Sequence, residues 1–266
     1  MKVALLGNCQ VHGLRRGLAC HPDLEVTAFE VWRLPPDDFA SFDPLAWDIV
    51  LSQPLSAYYK SMSQENLRAS RTPCAFVHNL YFDGLCPDST YVGPPGKRVV
   101  GPMGDYHSSI VLNAFKAGTD ATETSRRLLE DGAGLDPLGA WQASFAELRR
   151  RETEVDVPFA TELERIASQR RTFWTFNHPE VSLLIDYARQ IVSQVFHKVL
   201  EPADQLQDDL RINGVWPIYP WVRSAHGLAF GGETQFESRG RLMTALEFVE
   251  ASYRVYDQAR DRLDAR

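Results

Sequence analysis

No run of apolar residues in this chain reaches the length that crosses a bilayer. At the start only Val3–Leu6 separate Lys2 from Gly7 and Asn8, too short a stretch for the apolar part of a secretory signal. A soluble, cytoplasmic protein without membrane insertion is the expectation. Positive charge is scarce. The 28 Lys and Arg against 35 Asp and Glu leave a net charge of -7, with a pI of about 5.5. A broad electrostatic footprint for nucleic acid is therefore excluded, and an anionic ligand has to be held locally. Cysteine is sparse as well: Cys9, Cys20, Cys74 and Cys86 contain no C-x-x-C pair. In a chain of 266 residues, 44% of them hydrophobic, the core needs no disulfide staples, so all four read as thiols. Cys9 and His12 form a C-x-x-H pair that lacks two further ligands, and no metal centre is expected. There is no GxxxxGK[ST], GxGxxG or HExxH, which leaves nucleotide hydrolysis, dinucleotide redox chemistry and zincin proteolysis without support.

Five short apolar runs are present: "KVALL", "LEVTAF", "DIVLS", "CAFVH" and "TFWTF". They are largely without polar alternation, the pattern of strands covered on both faces, so a parallel sheet flanked by helices is predicted. Helices are predicted over 10–19, 56–69, 107–117, 122–131 and 141–169, from Glu180 onward, and over 239–264. With no internal repeat and no flexible linker, residues 1–266 read as a single α/β domain. Its parallel-sheet core occupies 1–180, and a mainly helical extension, 181–266, packs on that core. The Pro/Gly cluster "YVGPPGKRVVGPMGDYH" reads as a ligand-facing loop.

Open α/β sheets bind ligands at the carboxyl ends of their strands. The first predicted strand ends at Gly7-Asn8-Cys9 and a helix follows from Gln10, so the thiol is expected at a helix N-terminus, where its pKa would fall. His78 and Asn79 follow the fourth strand, and Asn177 and His178 the fifth. In a five-stranded parallel sheet they would converge with Cys9 on one edge. Either histidine then qualifies as a proton acceptor, and Asn79 with the turn's N–H groups as an oxyanion donor. Gly7, Asn8 and Gln10 line the turn, while Arg15, Arg16, Lys97 and Arg98 are candidates for neutralising phosphates. Asn177 and His107, the latter at a predicted helix start, are candidates for substrate contact. His12, His21, His197 and His226 are read as structural, and Arg149–Arg151 as a solvated face.

"LLGNCQVHGL", "VHNLYFDGLCPD", "GDYHSS" and "TFNHPE", followed by "PIYPWV", resemble in this order the WcbI-type polysaccharide biosynthesis proteins, a family assigned to acetyl transfer in bacterial capsule synthesis. The resemblance implies an SGNH/GDSL-hydrolase-like fold, coenzyme A or acetyl-CoA as cofactor, and a sugar as acyl acceptor. It places Cys9 where those hydrolases carry a serine nucleophile. Their Asp-x-x-His pair is absent, because Thr175 stands three residues before His178. Cys9 is thus expected either to attack the thioester or to hold it. A thiol-dependent esterase and a non-catalytic CoA- or glycan-binding subunit are the rival readings.

Overall fold

The computed structural model describes residues 1–200 and 207–263. The first 80 residues build a parallel sheet. Its strands are β1 (Lys2–Gly7), β2 (Glu25–Glu30), β3 (Ile49–Ser52) and β4 (Cys74–Phe76), all parallel, in the order β2-β1-β3-β4. Three helices connect them: α1 (Val11–Leu18), α2 (Pro36–Ser41) and α3 (Gln64–Ala69). The inward alternation of the strands puts Ala4, Leu6, Val50 and Phe76 on one face, where Phe39 and Phe42 from α2 and its exit, Met62 just before α3, and Leu67 of α3 complete a core. Val3 and Leu5, equally buried, point to the opposite face, which α1 covers. The strand order reverses at β1, so the carboxyl ends of β1 and β3 form the topological switch point of the sheet.

The chain then continues through β5 (Ser89–Tyr91), β6 (Tyr106–Ser108), α4 (Ser109–Lys116), α5 (Ala121–Glu130), α6 (Pro137–Arg151) and α7 (Ala160–Ala167). After these come β7 (Phe173–Thr175), β8 (His178–Pro179), α8 (Val181–Phe196), α9 (Pro220–His226), β9 (Gln235–Ser238), β10 (Arg241–Thr244) and α10 (Ala245–Gln258). Contacts divide the chain into two compact units of three segments each. The first holds 1–80, 145–165 and 179–210; the second holds 81–144, 166–178 and 211–266. A division does fall next to the boundary expected at 180, between 178 and 179, but the segments on either side of it are shared between both units rather than split into 1–180 and 181–266. Helix α8 belongs to the sheet unit because it packs on α1. Gly13 and Gly17 permit that approach: a Cβ at either would lie 2.3 Å from Leu184 Cδ1 or 2.7 Å from Ala188 Cβ. Residues 201–206 and 264–266 of the expected extension lie outside the described residues.

Three further expectations change. "TFWTF" forms β7, but β7 lies in the second unit and outside the four-stranded sheet. The helix expected over 141–169 breaks because Asp156 and Val157 run along the edge of β4: the Asp156 N–H donates to Phe76 O at 2.8 Å, and Val77 bridges Val157. The helix expected over 239–264 begins only at Ala245. Arg239 and Gly240, at φ 50° and 77°, form the two-residue turn between β9 and β10. Thr244 and Glu247 then start α10 with a capping box, and residue 264 falls outside the described range.

Within the second unit, Asp88 is fully buried and accepts from Trp216 Nε1 and Tyr219 OH, each at 3.0 Å. Burial pushes its carboxyl up to about 6 against these bonds. The Pro/Gly segment forms the connection between the antiparallel strands β5 and β6.

Candidate active site at the carboxyl edge of the sheet

The turn Gly7-Asn8-Cys9-Gln10 leaves β1 at the switch point, and side-chain amides fasten it to the neighbouring strand ends. The Asn8 N–H donates to Gln53 Oε1 at 2.9 Å, and Asn8 Nδ2 to Asn79 Oδ1 at 2.8 Å. Buried Gln10 pairs with the backbone of Leu80 in both directions, donating from Nε2 at 2.6 Å and accepting at Oε1 at 2.9 Å. Gly7 is required for this packing, since a Cβ there would sit 2.6 Å from Gln53 Oε1. The amide network ties the ends of β1, β3 and β4 together. Asn8, Gln10 and Gln53 are thus structural clamps, while Asn79 is exposed and its Nδ2 has no protein partner among the described residues.

Beside this turn stands an ion pair that sequence reading did not single out. The register of β1 and β2 sets Gly7 opposite Glu30. Glu30 Oε2 lies 2.9 Å from His12 Nε2 and 3.2 Å from Arg33 Nε. The Glu30 side chain is 6% exposed and that of His12 is 41% exposed, and Glu30 Oε1 is buried without a hydrogen-bond partner. His12 is three residues beyond Cys9, one helical turn along. The C-x-x-H spacing was visible in the sequence. What could not be seen was the carboxylate that strand pairing delivers to it.

Cys9 differs from expectation. Burial pushes its thiol up to about 11, and the Glu30 carboxylate adds to that rise. The backbone N–H groups of Cys9 and Gln10 pull the other way but do not prevail. A helix N-terminus contributes only about 0.3–1 kcal/mol at ordinary exposure, less than the cost of desolvating an anion. One of the turn's donors is also already used, because the Gln10 N–H bonds Asn8 Oδ1 at 3.0 Å.

His78, expected as a base, is only 1% exposed. Its backbone N–H donates to Tyr187 OH at 2.6 Å, and Tyr187 OH donates to Val157 O at 2.8 Å. Burial pushes the imidazole down to about 4; Glu152, whose Oε1 lies 3.5 Å from His78 Nε2, opposes the shift. In this conformation His78 cannot meet an acceptor. Glu152 Oε1 is itself held by the N–H groups of Phe159 and Ala160 at 2.7 and 2.6 Å. Tyr187→Phe would leave the His78 N–H and the Val157 carbonyl unpaired in the core. A loss of about 1–3 kcal/mol in denaturant unfolding is expected; a change within about 0.5 kcal/mol would mean that this link carries no stability.

The remaining candidates separate. Arg15 is part-buried with no ion-pair partner among the described residues, whereas Arg16 is paired with Asp209. Arg151, read from sequence as solvated, is 22% exposed and donates from Nη1 to Asn79 O at 3.0 Å. Asn177, His178, His107, Lys97 and Arg98 all belong to the second unit. There Tyr106 OH donates to Asn177 Oδ1 at 2.6 Å and lies 3.2 Å from His178 Nε2. Arg98 stacks 3.4 Å from the centre of the Tyr91 ring and lies 3.5 Å from Asp105, while Lys97 is exposed. With β7 outside the parallel sheet, strand order does not bring Asn177 and His178 to its edge. His107 is no helix start: it is a buried residue of β6 whose ring nitrogens face Tyr256 OH at 3.0 Å and Val99 O at 2.8 Å, which leaves neither for a ligand.

A sequence model described as the polysaccharide biosynthesis enzyme WcbI matches residues 2–197. A solved structure of WcbI is similar in fold, with a TM-score of 0.79 at 21% identity over 97% of this chain and 96% of its own. It is described as a novel polysaccharide biosynthesis enzyme, the native protein without a disulfide bond between CoA and one of its cysteines. No curated protein matches the chain.

Proposed function

The chain belongs to the WcbI family of polysaccharide biosynthesis enzymes, and from that premise we propose that it transfers an acetyl group from acetyl-CoA to a sugar hydroxyl. The observation that carries this reading is the His12–Glu30 pair beside Cys9 at the switch point. The residues there fit CoA. In a chain of net charge -7 an anionic ligand needs local cations: Arg151 reaches the backbone of Asn79, and Arg15, in the last turn of α1, is a further candidate. Trp32, 58% exposed just beyond Glu30 with the Arg33 guanidinium 4.9 Å from its ring centre, suits an adenine. The CoA–cysteine disulfide named for the related WcbI structure supports Cys9 as the thiol that lies against the CoA sulfur.

When bound, acetyl-CoA supplies an acyl group activated as a thioester. His12, with Nε2 directed at Glu30, accepts the proton of the sugar hydroxyl at Nδ1 and returns it to the departing sulfur. Glu30 fixes the orientation of the ring through Nε2. Asn79 Nδ2 donates to the negative charge that develops on the acyl oxygen. Cys9, held largely as the neutral thiol, positions the thioester rather than attacking it, which favours direct transfer over an acyl-cysteine. That same protonation speaks against the esterase reading, which needs a ready thiolate.

CoA binding is the first test. A ligand that binds only the native state stabilises it by RT ln(1 + [L]/Kd), about 2.7 kcal/mol at a hundredfold excess over Kd. The melting temperature of protein freed of ligand should therefore rise with CoA and fall back with added salt. An unchanged melting curve at millimolar CoA would remove the cofactor from the reading.

A further inference from the structure

The second unit contains a cleft of about 440 Å³ that none of the chemistry above uses. Trp174 of β7 is its aromatic surface. The Arg211 guanidinium lies 4.9 Å from the Trp174 ring centre, and that of Arg171 lies 5.7 Å away. Both cations are matched: Arg171 Nη2 donates to Glu233 Oε1 at 2.8 Å, and Arg211 Nη2 to Glu237 Oε2 at 2.9 Å. The cleft is also built in advance of any ligand. Arg171, 14% exposed, donates to the carbonyls of Phe173 and Trp216 at 3.3 and 3.2 Å. Glu233 Oε2 accepts the Ile218 N–H at 3.0 Å. Gly231 and Gly232, at φ 83° and 88°, make the turn that delivers Glu233. Thr234 and Gln235 line the same opening and are exposed.

Two guanidinium groups against two carboxylates give no net charge, so a phosphorylated or carboxylated ligand gains little from the field. Planar groups that alternate donor and acceptor suit hydroxyls, which both donate and accept. An aromatic ring next to them offers an apolar surface to the C–H face of a sugar ring. The volume falls within the range of small-molecule sites. The geometry points to a binding site for a neutral saccharide, seated against Trp174 with its hydroxyls on Arg171, Glu233, Arg211 and Glu237. The identity of this ligand as the acyl acceptor rests on the transferase reading; the binding itself does not.

The test reads binding apart from transfer. An array of neutral and acidic oligosaccharides is screened, the best neutral binder is titrated by calorimetry, and uridine diphosphate serves as the phosphorylated control. Trp174→Ala should weaken the neutral saccharide by at least about tenfold, or 1.4 kcal/mol. Thr234→Trp, at an exposed position, should block the cleft with the same loss and keeps the test valid if the first variant fails to fold. The melting shift with CoA should persist in both variants. If no saccharide binds, if binding survives both changes, or if uridine diphosphate is the ligand that Trp174→Ala loses, the assignment is overturned. If saccharides bind as stated while CoA gives no melting shift, the cofactor reading falls and the cleft stands.

Discussion

Replacing His12 by alanine should lower acyl transfer about a hundred- to ten-thousandfold, the contribution of a positioned general base. The side chain is 41% exposed and makes its polar contact at the surface of the sheet edge, so the fold and the CoA melting shift should survive the change. Glu30→Gln keeps the shape but replaces the carboxylate that orients the ring through Nε2. Its rate should fall between wild type and His12→Ala, and the loss should sit in kcat rather than KM. The kcat against KM split separates a base from a structural histidine, because a purely structural role would lower melting in both variants and leave kcat of the folded protein unchanged. His78→Ala is the comparison, because a residue 1% exposed should alter melting more than rate. If His12→Ala slows transfer only a fewfold while His78→Ala abolishes it in folded protein, the roles are reversed and the base is the buried one.

The four parallel strands were legible because each is a short, largely apolar or β-branched run, fully buried in β3 and nearly so in β1 though half-exposed in the edge strand β2, and α1 because its apolar positions repeat at helical spacing. "TFWTF" has the same composition, yet nothing in an apolar run says which sheet it joins, and β7 does not join the parallel one. The hairpin at Arg239-Gly240 was hidden within a pattern that mimics a helix, although Thr244 and Glu247 already spelled a capping box. The same limit applies to the site. Gly7, Asn8, Cys9 and Asn79 could be placed from strand ends alone. His12 was visible but incomplete, because its partner Glu30 is eighteen residues away and reaches it only through the register of β1 and β2. Gln53, Glu152 and Tyr187 act through long-range contacts of the same kind. The interleaving of two units, with α8 returning to the sheet, follows from the close approach of Gly13 and Gly17 to Leu184 and Ala188, which no local pattern reveals.

Cys9 is where local and tertiary reasoning disagree most, and the disagreement is measurable. Its position after β1 predicts a reactive thiol; its surroundings make it a sluggish one. With the thiol pushed up to about 11, first by burial and then by Glu30, the thiolate fraction at pH 7 is on the order of one in ten thousand. A free cysteine near 8.5 has about three in a hundred. Because the thiolate is the reacting form, alkylation of Cys9 by iodoacetamide at pH 7 should be about twenty- to thirtyfold slower than that of free cysteine, after allowing for the greater intrinsic nucleophilicity of the more basic thiolate. Exposed Cys20 should be modified first. The sign is fixed by the equilibrium: raising the pH toward 11 deprotonates Cys9 and should speed its alkylation steadily, with no plateau between pH 7 and 9. Glu30→Gln removes a carboxylate that disfavours the thiolate, so Cys9 should react faster in that variant even as acyl transfer slows. The two rates moving in opposite directions is the signature of a thiol that positions the thioester beside a histidine base. Fast alkylation of Cys9 at pH 7, with an acetyl group trapped on it after incubation with acetyl-CoA, would instead establish covalent transfer and overturn the direct route.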